Sequence, residues 1–211
     1  MIPTHDLLLF ILAALMLVIS PGPNMIYLIS RSITQGRKAG LISLLGIVFG
    51  FLFHIIMVSF GLTAVLFAVP YAYTLLKFLG VLYLLYLAFQ AVNPNGKNMF
   101  DNTTTLKIDR PQKLFTVGFL TSALNPKIAV FYLSFFPQFI KPEFGSVLAQ
   151  SLQLGFIQVT VSFTVNALIV LSAAQISRFF SNNQKWVKIQ KWFMAGVLTS
   201  MALKMAVTKV R

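Results

Sequence analysis

The sequence predicts an all-α fold: a polytopic membrane bundle of six transmembrane helices, arranged as two inverted three-helix repeats, with the first helix of each repeat broken. Three observations lead there. Only 10% of the residues are charged and 57% are hydrophobic, whereas a soluble domain carries about 25% charged residues. So few charges do not cover a water-facing surface. The apolar residues fall in about six long runs, and a run of roughly 18 or more crosses a hydrocarbon core about 30 Å thick. Two of the runs are interrupted at corresponding places by proline and asparagine. Ten-residue alternating segments are absent, so helices rather than a barrel satisfy the backbone in lipid.

The first span runs approximately Leu7–Ile29 and contains Ser20-Pro21-Gly22-Pro23-Asn24 near its middle. No Lys or Arg precedes it, as a cleavable leader would require, so it is expected to stay in the membrane as a helix. The second and third spans are expected at Leu41–Val69 and Tyr71–Val92. A polar segment follows at 93–114, opened by the turn signal Asn93-Pro94-Asn95-Gly96. The fourth span, Phe115–Ile140, breaks at Asn125-Pro126-Lys127; the fifth and sixth are expected at Val147–Ile176 and Val187–Val207. The chain thus divides into a first repeat at 1–92, a cytoplasmic loop at 93–114 and a second repeat at 115–211. An odd number of spans per repeat forces the halves into opposite orientations.

Eleven Lys and Arg residues fall in the loops after spans one, three and five, five lie on the other side, and Lys127 lies inside span four. Cytoplasmic loops are enriched in Lys and Arg, so the loop at 93–114 is expected in the cytoplasm and both termini outside. The net charge of +13 follows from that rule and from the attraction of anionic headgroups. No basic face interleaved with aromatics marks a nucleic-acid partner. Cysteine is absent, which excludes disulfides and thiolate metal sites. The four carboxylates, Asp6, Asp101, Asp109 and Glu143, all sit at span ends or in loops, so paired-carboxylate hydrolysis has no support. No phosphate-binding glycine loop is present. Neither enzyme chemistry nor a cofactor or metal is expected.

What remains is a polar site inside the bilayer. Pro21, Gly22 and Pro23 remove two backbone donors and the helical preference of span one. The stretch must then be buried in protein or line a wet cavity, where a half-helix starting near Pro23 favours a carboxylate. Lys127, beside the Asn125-Pro126 break, costs roughly 2.5–3.5 kcal/mol near the bilayer centre; it either snorkels or neutralises a carboxylate or lipid phosphate. His54 has the one intramembrane side chain whose ordinary pKa lies near physiological pH. It either carries a proton or hydrogen-bonds cargo, or simply bonds a neighbouring helix, and a lone His makes no metal site. Gly36-xxx-Gly40 and Gly46-xxx-Gly50 read as packing faces, and Gln158, Ser162, Thr164 and Asn166 either line a path or bond between helices. Interrupted helices at matching places of inverted halves point to a transporter's central site.

At these residues the sequence resembles the LysE/RhtB family of amino-acid exporters, small inner-membrane proteins of bacteria. The resemblance covers nearly the whole chain. It rests on Ser20-Pro21-Gly22-Pro23-Asn24, on Gly46, Gly50 and His54 leading to Gly61-Leu62, and on Leu76-Lys77-Phe78-Leu79-Gly80 with Tyr83–Leu87. Asn125-Pro126-Lys127, Phe131 and Phe135-Phe136-Pro137-Gln138-Phe139-Ile140 complete it. The second and third stretches are similar to the homoserine/threonine exporter branch. The resemblance implies export of neutral or zwitterionic amino acids from the cytoplasm across the bacterial inner membrane, coupled to protons. Where many relatives carry acidic residues in the second and fifth helices, this chain has Phe51 and Ser162.

The expected site is a midplane cavity lined by Pro21, Gly22, Pro23, Asn24, His54, Asn125, Pro126 and Lys127. Half-helix N–H groups and Lys127 would hold a carboxylate; Asn24, Asn125 and His54 would bond the amine or hydroxyl. The expected partners are an amino acid and membrane lipids, with a homodimer compatible with the glycine faces. An alternative is a small scramblase or flippase holding a phosphate headgroup, which a lateral opening toward the headgroup layer would favour. A non-transporting subunit or membrane enzyme is a third reading, favoured by a stable soluble partner.

Overall fold

The computed structural model describes residues 2–20, 22–68, 72–93, 108–176 and 184–207. All regular structure among them is helical. Helix α1 spans Thr4–Ile19. Pro21 itself lies outside the described residues, but a proline supplies no N–H, so Leu17 loses the donor four residues on. Helix α2 spans Pro23–Ala68, interrupted at Gly36, where φ is 84° and ψ 169°. That conformation is open essentially to glycine alone, and it turns the chain from a short limb (23–35) into a long one (37–68).

The first span therefore does not end near Ile29. Its second half stays helical through residue 35, and Arg31 sits on a helix rather than in a loop. Gly36 and Gly40 do not share a packing face either, because Gly36 is the hinge between the limbs. Helix α3 spans Ala72–Val92. Helix α4, Pro111–Ala123, opens on proline inside the segment expected as loop; residues 94–107 of that segment lie outside the described residues. The break at Asn125 bends the path by 45°. Beyond it come a short α5, Pro126–Val130, then a π-helical turn at Phe131–Phe135 and a 3-10 turn at Phe136–Phe139. Helices α6, Val147–Leu171, and α7, Gln184–Val207, complete the chain.

Among the described residues, two helical stretches, Pro23–Gly61 and Val147–Leu171, are long and apolar enough to cross a membrane, and the bent pair Pro111–Ala123 with Pro126–Phe139 makes a third if taken as one span. The side chains are distributed as lipid requires. Phe60, Leu82, Phe89, Phe156 and Leu168 stand on the outside, whereas Ser43, Asn125, Gln158, Ser162 and Asn166 are buried. Lipid competes for apolar groups but offers no hydrogen bonds, so polar side chains turn inward.

Glycines let the two halves approach closely. A side chain on Gly46 would run into the backbone carbonyl of Phe115, and one on Gly118 into that of Ser43. Gly50 accommodates Ser122 in the same way. Helix α2 packs on α4 and α6, α1 on α6, and α3 on α7.

Candidate functional site

The helical segment 4–35, broken after Ile19, and the segment 111–139, broken at Asn125, run antiparallel to each other. At one end Phe10 of α1 meets Phe139, ring centroids 5.2 Å apart, and Lys141 pairs with Asp6. At the other end the Tyr27 hydroxyl donates to the Leu114 carbonyl at 2.9 Å, and Arg31 pairs with Asp109. The breaks meet in the middle. The Asn125 amide Nδ2 donates to Asn24 Oδ1 at 3.0 Å. Asn125 Oδ1 meanwhile accepts from the Lys127 backbone N–H at 3.0 Å, capping α5.

Lys127 is buried, 8% exposed, and no acidic residue pairs with it among the described residues. Its ammonium instead donates to the carbonyls of Ser20, at 2.6 Å, and Leu17, at 3.1 Å. Leu17 lies in the last turn of α1, its carbonyl orphaned by Pro21, and Ser20 caps that end of the helix. Gly22 leaves room for this side chain, since a Cβ there would lie 2.9 Å from Nζ.

A cavity of about 20 Å³ lies among Leu17, Ser20, Gly22, Asn24, Lys127 and Asn166, with apolar walls from Val18, Met25, Phe51 and Ile128. That is room for about one water and far below the several hundred Å³ of a typical ligand site. Toward the Asp6–Lys141 end the rings of Phe131, Phe136 and Phe139 pack around Phe10. Two buried polar atoms at the cavity, Asn24 Nδ2 and Ser20 Oγ, have no partner among the described residues.

The structure thus gathers Gly22, Asn24, Asn125 and Lys127 around one cavity, with Pro23 and Pro126 opening the helices that carry them. Pro21 lies outside the described residues. His54 stands apart: its Nε2 lies 3.3 Å from the Ser122 carbonyl, and its ring stacks on Tyr132, centroids 5.4 Å apart. Gln158 donates to Ser162 Oγ at 2.9 Å, within α6. Asn166, one candidate among several in the sequence, is the α6 residue that reaches the cavity wall. Its position needs the packing of α6 against α1 and α2, which spacing alone does not give.

Both ends of the crossing carry a charge cluster that joins one half of the chain to the other. Asp109 receives Arg31, Lys113 at 2.6 Å and the Gln35 amide at 3.3 Å. Its carboxyl is held below the ordinary carboxylate range, first by the hydrogen bond from Lys113 and then by Gln35 and Arg31, against the opposing effect of burial. At the far end Lys141 holds Asp6, while Gln150 ties the Lys141 backbone at both its N–H and its carbonyl, each at 2.9 Å.

Comparison with known proteins places this arrangement. The family model described as LysE type translocator matches residues 15–209. The leucine efflux proteins of Salmonella choleraesuis and Salmonella typhimurium are each 24% identical over 207 residues, covering 93% of this chain and 92% of theirs. An uncharacterized membrane protein of Vibrio cholerae is 29% identical over 189 residues, covering 90% of this chain and 91% of its own. No solved structure is significantly similar to the chain.

Proposed function

The chain belongs to the LysE type translocator family, and from that premise we propose that this membrane transporter exports neutral, zwitterionic amino acids from the bacterial cytoplasm. The relatives named for leucine efflux support the class of cargo. The apolar cavity walls, Val18, Met25, Phe51 and Ile128, suit a branched aliphatic side chain at least as well as the hydroxyl of a homoserine- or threonine-like cargo. The observation that carries the reading is the clasp of two broken helices, Asn24 to Asn125 and Lys127 to α1, around a polar hollow.

The architecture proposed is six spans in two inverted repeats, 1–92 and 115–211, joined by a cytoplasmic loop at 93–114. Part of the contact pattern supports the exchange, although α3 also packs on the second broken span at Phe131–Phe135 with no comparable contact of α7 on the first among the described residues. The first broken span meets α6 and the second meets α2, the second spans of the repeats (α2 and α6) meet each other, and so do α3 and α7. The Arg31–Asp109 end then faces the cytoplasm with the excess of basic residues, and both termini face outward. Rocking one repeat against the other opens the cavity to each side in turn. The proton gradient drives the cycle, with His54 the titratable imidazole within the spans.

Proteoliposomes loaded with radiolabelled leucine or threonine test this. Wild-type protein is expected to release them, and Lys127→Ala and Asn24→Ala to abolish release while inserting normally. Undiminished efflux by both variants refutes the site; no efflux of any neutral amino acid by wild-type protein refutes the function.

A further inference from the structure

Resting on the transport reading, we infer that the carbonyls of Leu17 and Ser20 form the subsite for the cargo's ammonium group, and that Lys127 is a tethered stand-in for that ammonium, filling the subsite when the protein is empty. A primary ammonium presents three N–H donors and no acceptor. Lys127 Nζ meets the two carbonyls at 3.1 and 2.6 Å, as the ammonium of a free amino acid would. The carbonyls need a cation for reasons of their own. Pro21 withholds the donor for Leu17, and both lie at the negative end of α1 in a site without carboxylates.

The other half of a zwitterion also has a place. Asn24, buried in the same cavity, keeps its amide Nδ2 without a partner among the described residues, although leaving a buried donor unpaired is costly. A cargo carboxylate seated there satisfies it. The cavity is too small for an amino acid while Lys127 occupies it, so cargo entry and lysine departure are one event. Gly22 makes the exchange possible: the lysine stem lies where any other residue would project its Cβ. This inverts the expectation that Lys127 seizes the carboxylate in the resting protein.

The experiment uses purified full-length protein in nanodiscs and measures binding of 3-methylbutylamine, leucine and N-acetylleucine to wild type, Lys127→Met and Lys127→Gln. With the tethered competitor removed, Lys127→Met is expected to bind the amine about tenfold more tightly than wild type, one charge-assisted hydrogen bond's worth. Lys127→Gln, which keeps an N–H donor for the carbonyls, is expected to gain less. Leucine should displace the amine from Lys127→Met, and N-acetylleucine, which retains the carboxylate but has no ammonium, should not. If Lys127→Met unfolds and the amine restores its melting transition, the inference is equally supported. It is overturned if neither variant gains affinity for the amine, if leucine fails to displace it, or if N-acetylleucine displaces it equally well. Amine binding that follows this pattern in a protein without leucine efflux overturns the transport reading and leaves the subsite standing.

Discussion

Asn125 uses one amide for two purposes. Its oxygen caps α5 through the Lys127 N–H and its nitrogen donates to Asn24 across 101 positions of sequence. Asn125→Ala removes both bonds and leaves the Asn24 amide wholly unpartnered. Together the lost cap and the unsatisfied amide should cost about 1–3 kcal/mol, measured as a lower melting temperature in detergent, with efflux lost even below that temperature. The helix cap was legible in the sequence, because Asn before Pro is a natural helix start. The cross-link was not, since nothing in either motif names the other. Lys127 repeats the lesson. Its burial was readable from its place in span four, and the carbonyl it neutralises was implied by Pro21 four residues after Leu17. The meeting of the two, across 110 positions, depends on how the spans cross.

Among the elements, glycines that look alike do different work. Gly36 supplies a backbone conformation, φ 84°, and has open space around the position of a Cβ. Gly46 is helical and supplies closeness to the Phe115 carbonyl. Gly36→Ala is therefore expected to cost about 1–3 kcal/mol through strain alone, read from reversible unfolding in mixed micelles, with the α2–α4 contact intact. An unchanged unfolding midpoint would show that the turn between the limbs does not depend on glycine there. Apolar runs located helical stretches, but they cannot distinguish a hinge glycine from a packing one. They also gave no sign that the fourth span loosens into π and 3-10 turns at Phe131–Phe139. Pro137 marks that region, and the packing of Phe10 against Phe131, Phe136 and Phe139 fixes it.

At the scale of the whole molecule, the ion pairs Asp6–Lys141 and Arg31–Asp109 would be counterparts under the proposed exchange of two inverted repeats. Each joins the start of one broken span to the end of the other. In an alternating-access cycle, each must part when its own side opens. On the proposed orientation, Asp109→Asn is thus expected to raise the population open at the cytoplasmic end, and Asp6→Asn to do the same at the outer end. Because the chain contains no cysteine, single cysteines placed at the cavity report this directly through their labelling rates from either side. Equal labelling in both variants would sink the assignment. The Asp109 cluster also has a defined pH range. A carboxyl whose pKa is depressed in the folded protein contributes its stabilisation above the ordinary carboxylate value and loses it as pH falls through the lower folded value. Labelling at the cytoplasmic end should therefore stay flat through neutral pH and rise only below the ordinary carboxylate range.

The two clusters are not equally strong. Asp109 is held by two cations and an amide, whereas Asp6 has Lys141 as its cationic partner from the other half of the chain. On the proposed orientation the Asp109 cluster fastens the loading side more tightly than Asp6–Lys141 fastens the other, so the empty protein is expected to rest shut toward the cytoplasm. Charges as near as two turns of helix from the cavity would then set how readily cargo opens the protein on its loading side.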